Sequence, residues 1–178
     1  QGSLDDPRTR VLNEDARAYL ENTAERFDLI VVDLVEPLEE GPACQLFTKE
    51  FYSLVRDRLT DQGVMTMQAG MTKINELFFY GAVNRTLRDV FPVVAPYQGF
   101  ISCFGTPWGF ILASKRTDPR RQSAEEINRL LAARLDPDEL GYWDGAAHLH
   151  SFNLPKFLSQ AVERNDRVIT DANPLIVT

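Results

Sequence analysis

The chain has 178 residues, 44% of them hydrophobic, enough for one domain with a real core and no more than a single α/β unit. Its 26 acidic against 19 basic residues leave a formal charge of −7, which argues against a nucleic-acid partner and mildly favours a cationic small molecule. Cys44 and Cys103 stand far apart without metal-ligand spacing, and no run approaches the roughly 20 apolar residues that span a bilayer, so a soluble cytoplasmic protein with reduced thiols, no bound metal and no membrane partner is expected.

Arg10 to Asn13 reads as a short strand, after which Asp15 can cap a helix through about Asn22 by accepting from first-turn amides. The apolar run Phe27 to Val32 reads as a parallel strand buried on both faces, and Asp33 closes it. In open α/β sheets ligands bind just beyond the carboxyl ends of such strands, which makes Asp33 the leading candidate for chemistry. The loop Leu34 to Ala43 adds Glu36, Glu39 and Glu40 and two prolines, a mouth that should attract cations. Thr48 caps a helix from Lys49 to Leu59, with Phe51, Leu54, Val55 and Leu59 on one face. Gly63 ends that unit and Val64 to Ala69 forms the next strand. A long helix from Lys73 to Phe91 is stopped by Pro92. Strands at Val93 to Phe100 and Trp108 to Ala113 flank the loop Ile101 to Pro107 and should pair antiparallel at the edge of an otherwise parallel sheet. Ser123-Ala124-Glu125-Glu126 is a capping box for a helix ending near Leu135, and Leu154 to Glu163 gives a last helix. No repeat or low-complexity linker divides the chain, so residues 1–178 read as one domain.

A set of short motifs runs through the chain in order. They are Asn13-Glu14-Asp15-Ala16-Arg17-Ala18-Tyr19-Leu20, Asp33-Leu34-Val35-Glu36-Pro37, Gly41-Pro42-Ala43, Leu46 to Tyr52, Gln68-Ala69-Gly70, Phe104 to Phe110, Ala113-Ser114-Lys115 and His150 to Pro155. Together they resemble the carboxyl-terminal part of the polyamine aminopropyltransferases, the spermidine, spermine and thermospermine synthase family. The resemblance implies a methyltransferase-like Rossmann catalytic domain that works in polyamine biosynthesis. It would transfer an aminopropyl group from decarboxylated S-adenosylmethionine, a co-substrate, to putrescine, spermidine or agmatine and release methylthioadenosine. No metal and no prosthetic group is implied, and a homo-oligomer, dimer or tetramer, is the usual assembly. Acids suit such chemistry: the acceptor arrives as an ammonium titrating near the lysine value of about 10 and must lose a proton before it attacks.

By the same resemblance Asp33 matches the base that deprotonates the attacking amine. The plainer alternative is a strand-end aspartate capping loop amides. Glu36 stands where the family usually has a second aspartate for the acceptor amine, and its extra methylene shifts the carboxylate by roughly 1 Å or more. It could equally be a solvated loop glutamate. Asp15 and Ala16 match the pair that contacts the adenine, in competition with the helix cap. Leu34, Pro42, Ala43 and Leu46 match the apolar wall beside the nucleoside, although Gly-Pro is also ordinary turn punctuation. Gln68 matches a glutamine near the acceptor amine or satisfies loop backbone. Phe104 falls where putrescine-using relatives carry tyrosine, a hydroxyl that Tyr97 or water can replace; by the resemblance its loss, with Gln68-Ala69-Gly70-Met71 and Thr170-Asp171-Ala172-Asn173-Pro174, points to longer amines as acceptors. Trp108, Phe110, Phe78 and Phe79 read as core, and His148 and His150 as surface or packing residues.

The family's amino-terminal β domain, its Gly-Gly-Gly-Asp-Gly type loop and its ribose-binding acid have no counterpart in the sequence. A truncated catalytic domain lacking the first two strands is therefore expected, with the gap filled by an associated amino-terminal segment, by another chain or by rearranged pairing. Alone it should be weak or inactive. Two rivals remain: a small-molecule methyltransferase using S-adenosylmethionine on the same fold, and a non-catalytic polyamine-binding or assembly subunit.

Overall fold

The computed structural model of the chain describes residues 2–37 and 42–177. In chain order the elements are α1 (Ala16–Asn22), β1 (Phe27–Val32), α2 (Lys49–Arg58), β2 (Leu59–Met71), α3 (Leu77–Arg88), β3 (Val93–Ile101), β4 (Thr106–Ser114), α4 (Ala124–Ala132), α5 (Gly145–Phe152) and α6 (Lys156–Arg164). The four strands form one sheet in the order β1-β2-β4-β3.

Capping fixes several helix starts where the side chains predict them. The Asp15 carboxylate accepts from Ala18 N at 2.9 Å, Thr48 Oγ1 from Phe51 N at 3.3 Å, and Ser123 and Glu126 form a complete capping box. The core lies on one face of the sheet. Met65, Met67 and Ala69 of β2 and Ile111 and Ala113 of β4 join Phe51, Tyr52 and Val55 of α2 and Tyr80, Val83 and Leu87 of α3 in a single buried cluster. Gly109 is required here: a Cβ at that position would lie 2.5 Å from the Tyr80 ring, whose hydroxyl donates to the Tyr97 carbonyl at 3.0 Å. On the other face Tyr97 stacks on Phe110 and packs against Phe152 of α5, while buried His148 bonds through Nε2 to the Pro119 carbonyl at 2.9 Å.

The α/β fold with an antiparallel edge is as expected, but the sheet is mixed rather than mostly parallel. β1 and β2 run parallel, whereas β2 with β4 and β4 with β3 are antiparallel. Arg10 to Asn13 forms no strand. It finds no ladder to join, and Val11 is 69% exposed. β1 is not buried on both faces: Leu29 and Val31 are 55% and 59% exposed, and among the described residues no strand pairs with its outer edge. The helix expected from Lys73 starts only at Leu77, because Lys73 to Glu76 closes a turn through Glu76 N to the Lys73 carbonyl at 2.9 Å. α6 begins after Pro155 rather than at Leu154. α5 was not foreseen: Asp144 caps it by accepting from Ala147 N at 2.7 Å. No helix among the described residues is long and apolar enough to cross a membrane.

Candidate active site

β1 ends at Val32 and delivers Asp33, exposed, to the carboxyl edge of the sheet. The chain leaves through Leu34, Val35, Glu36 and Pro37, and β2 holds this stretch from the side. Gln68 Nε2 donates to the Leu34 carbonyl, while its Oε1 accepts from Gly70 N at 2.9 Å and from Trp108 Nε1 at 2.9 Å. The short bond back to Gly70 accompanies a break in the β2–β4 register between Gln68 and Met71. Gly70 itself sits at φ 81°, in the left-handed region that favours glycine.

This loop divides two cavities. On one side an apolar groove of about 390 Å³ is lined by Ala16, Leu29, Val31, Asp33, Leu34 and Leu46 among others. On the other, a cavity of about 710 Å³ is lined by Glu36, Gly70, Glu76, Phe78, Trp108 and the carboxyl-terminal stretch Leu175, Ile176 and Val177, with no basic residue among the lining. Val177 N donates to the Pro37 carbonyl at 2.8 Å, which fastens that stretch to the loop. Two carboxylates and exposed aromatic surface in one cavity suit an alkylammonium, through charge and cation–π attraction.

The structure brings Asp33, Leu34, Ala16 and Leu46 to the groove and Glu36, half-buried, to the larger cavity. Asp15 caps α1 through Oδ1, and its Oδ2 has no protein hydrogen bond among the described residues. Pro42 opens a short 3₁₀ turn, Pro42–Leu46, in which Ala43 is buried; Glu39, Glu40 and Gly41 lie outside the described residues. Gln68 is buried and its amide is largely spent on the protein, so its place is to position the Asp33 loop. Tyr97 lies away from both cavities, its hydroxyl 2.7 Å from Thr66 Oγ1 and its phenol pushed up by burial. Phe104 is exposed at the tip between β3 and β4, tilted against Trp108 with ring centroids 4.7 Å apart.

Phe78 is the correction among the aromatics. Phe79 is buried as expected, but Phe78 is 60% exposed and lines the acid-bearing cavity. Glu76, just before α3, and the carboxyl-terminal wall were not anticipated. Periodicity could not have found Phe78, since α3 is buried nearly all round, Gly81 and Ala82 on the same face as Phe78 included.

The spermine/spermidine synthase domain matches residues 1–123. A polyamine aminopropyltransferase of Synechococcus sp. is 38% identical over 176 residues, 98% of this chain and 56% of the relative. Polyamine aminopropyltransferase 2 of Hyperthermus butylicus is 34% identical over 99% of this chain and 57% of its own length. The crystal structure of spermidine synthase from Thermotoga maritima superposes with a TM-score of 0.71 at 25% identity, covering 90% of this chain and 50% of that one. A spermidine synthase in complex with the transition-state analogue AdoDATO gives 0.72, also at 25% identity, over 90% and 51%. The chain thus spans little more than half the length of these relatives. The shared domain, these identities along nearly the whole chain and the common architecture show that it belongs to the spermine/spermidine synthase family.

Proposed function

We propose that the protein transfers an aminopropyl group from decarboxylated S-adenosylmethionine to a polyamine acceptor, with this chain as its catalytic domain. The observation that carries this is Asp33 in the lining of an apolar groove, with Glu36, three residues on in the same loop, in the lining of an acidic, aromatic-walled cavity. The groove offers Ala16, Leu34 and Leu46 to the nucleoside, and Asp15, the residue before Ala16, keeps one carboxylate oxygen open for the adenine amino group. The cavity offers Glu36 and Glu76 to the ammonium groups of the acceptor. Asp33 takes a proton from the acceptor nitrogen. Its lone pair then forms the N–C bond to the propyl carbon beside the sulfonium, the C–S bond breaks, and the electron pair stays on sulfur as neutral methylthioadenosine leaves. In-line placement of amine and sulfonium supplies much of the rate, and the carboxylates hold the charge that remains on the amine. No metal or prosthetic group takes part in this proposal. The protein is proposed to be a cytoplasmic homo-oligomer.

The 178-residue chain alone is proposed to turn over weakly or not at all, an expectation supported by the open outer edge of β1 beside the groove. The test is product mass spectrometry with decarboxylated S-adenosylmethionine and putrescine, spermidine or agmatine, on the chain alone and with the amino-terminal half of a relative supplied. Methylthioadenosine with one aminopropylated amine, both lost in Asp33→Asn, supports the assignment. S-adenosylhomocysteine from S-adenosylmethionine would replace it with methyl transfer. Amine binding without product in either preparation would leave a binding subunit.

A further inference from the structure

A third cavity, of about 670 Å³, lies between the carboxyl-terminal half of α3, the start of β3 and α6. The strand register separates it from the candidate active site. Val94, which lines it, is level with Ala113 and Met65, whereas Gln68 is level with Phe110 and Tyr97, some three residues or roughly 10 Å nearer the carboxyl end of β1.

Its wall contains an unexplained polar group. Asn84 is 1% exposed, in a stretch of α3 where Ala82, Val83, Thr86 and Leu87 are all buried, and neither Nδ2 nor Oδ1 has a hydrogen-bond partner. An apolar side chain would fit that environment. Leaving each end unpaired is costly, and buried polar groups in native proteins are otherwise satisfied. One turn further along, Arg88 lines the same cavity and forms no ion pair among the described residues; the other arginine, Arg120, is held by Asp118 at 2.8 Å. Exposed Glu163 of α6 is the acid in the lining, and Phe91, Val94, Phe152 and Leu154 supply the apolar part of a mainly polar wall.

A donor and an acceptor orphaned on one side chain ask for a ligand that presents an acceptor and a donor close together. A lone guanidinium and a carboxylate in the same lining ask for opposite charges on it. We propose that this cavity binds the zwitterionic head of a free α-amino acid with an apolar side chain. The carboxylate meets Arg88 and Asn84 Nδ2, the ammonium meets Asn84 Oδ1 and Glu163, and the side chain lies on the apolar wall. Both Asn84 atoms are shut off from solvent, so the ligand reaches them after rotation about the Asn84 side-chain bonds.

Thermal unfolding and side-chain amide NMR of the protein with L-leucine, 4-methylpentanoate and isoamylamine test this. The two analogues keep the apolar body and lack the ammonium or the carboxylate respectively. L-leucine at millimolar concentration should raise Tm by a few degrees and shift the Asn84 side-chain amide signals, both effects being absent with either analogue. Arg88→Gln, at an exposed position, and Asn84→Leu should abolish the response, while Asp33→Asn keeps it. No response to L-leucine, an equal response to 4-methylpentanoate, or a response that survives Arg88→Gln would each overturn the proposal.

Discussion

Gln68 shows how one buried amide can hold a loop in place. Its side chain joins the Leu34 carbonyl, Gly70 N and the Trp108 indole, so the end of β2 sets where the loop after Asp33 runs. Gln68→Leu should lower kcat/KM by about 10²-fold through misplacement of Asp33, while the acceptor KM changes less; steady-state kinetics on the active preparation decide this. Asp33→Asn removes the proposed base and should cost about 10²- to 10⁴-fold in kcat. Glu76→Gln should raise KM for the longer amines and leave kcat nearly unchanged, because an ammonium held equally in ground and transition states contributes only binding. The position of Asp33 was legible because an acid closing an apolar run is a local pattern. The role of Gln68 was not, since its partners lie 34 and 40 residues away in sequence. Phe78 was misjudged because composition alone does not separate it from its buried neighbour Phe79.

At the scale of elements, caps were the most readable signals. Asp15, Thr48 and Ser123 each accept from a first-turn amide, which is a matter of residue type and spacing. Thr48 does more than cap: its hydroxyl also donates to Asp171 at 2.6 Å, joining α2 to the carboxyl-terminal segment. Thr48→Ala should therefore cost about 2 kcal/mol, the upper end for a cap, measured by denaturant unfolding. Gly109→Ala forces a methyl into the Tyr80 ring and should cost about 1–3 kcal/mol by the same measurement. The faces and partners of the strands were less readable. An apolar run such as β1 looks the same whether two faces are covered or one, and Arg10 to Asn13 has strand-like residues without a neighbour to pair with.

At the scale of the molecule, three ion pairs set the acid limit. Arg17 holds Asp171 below the usual carboxylate range, Arg85 does so for Asp89 and Arg120 for Asp118. A carboxyl depressed in the folded state stabilises above its unfolded value, near 4, and that contribution is lost as pH falls through the lower folded value. Stability should thus decline below about pH 4, and Asp171→Asn should flatten part of that decline in a Tm-versus-pH series. Salt should weaken all three, which are partly exposed. The α/β class was legible at this scale from the alternation of apolar runs and capped helices. The mixed sheet was not, since the antiparallel seam between β2 and β4 pairs residues 37 to 50 positions apart in the chain.

The 13-residue β2 is clamped by a ladder on each side, whereas among the described residues β1 has one ladder and no strand along its other margin. In deuterated solvent the β2 amides should be the last to exchange, and the outward-directed amides of β1 among the first in any strand. An unguarded ribbon of that kind, with Leu29 and Val31 bare beside it, is also a template on which like molecules can stack, so the chain by itself should grow turbid as it is concentrated.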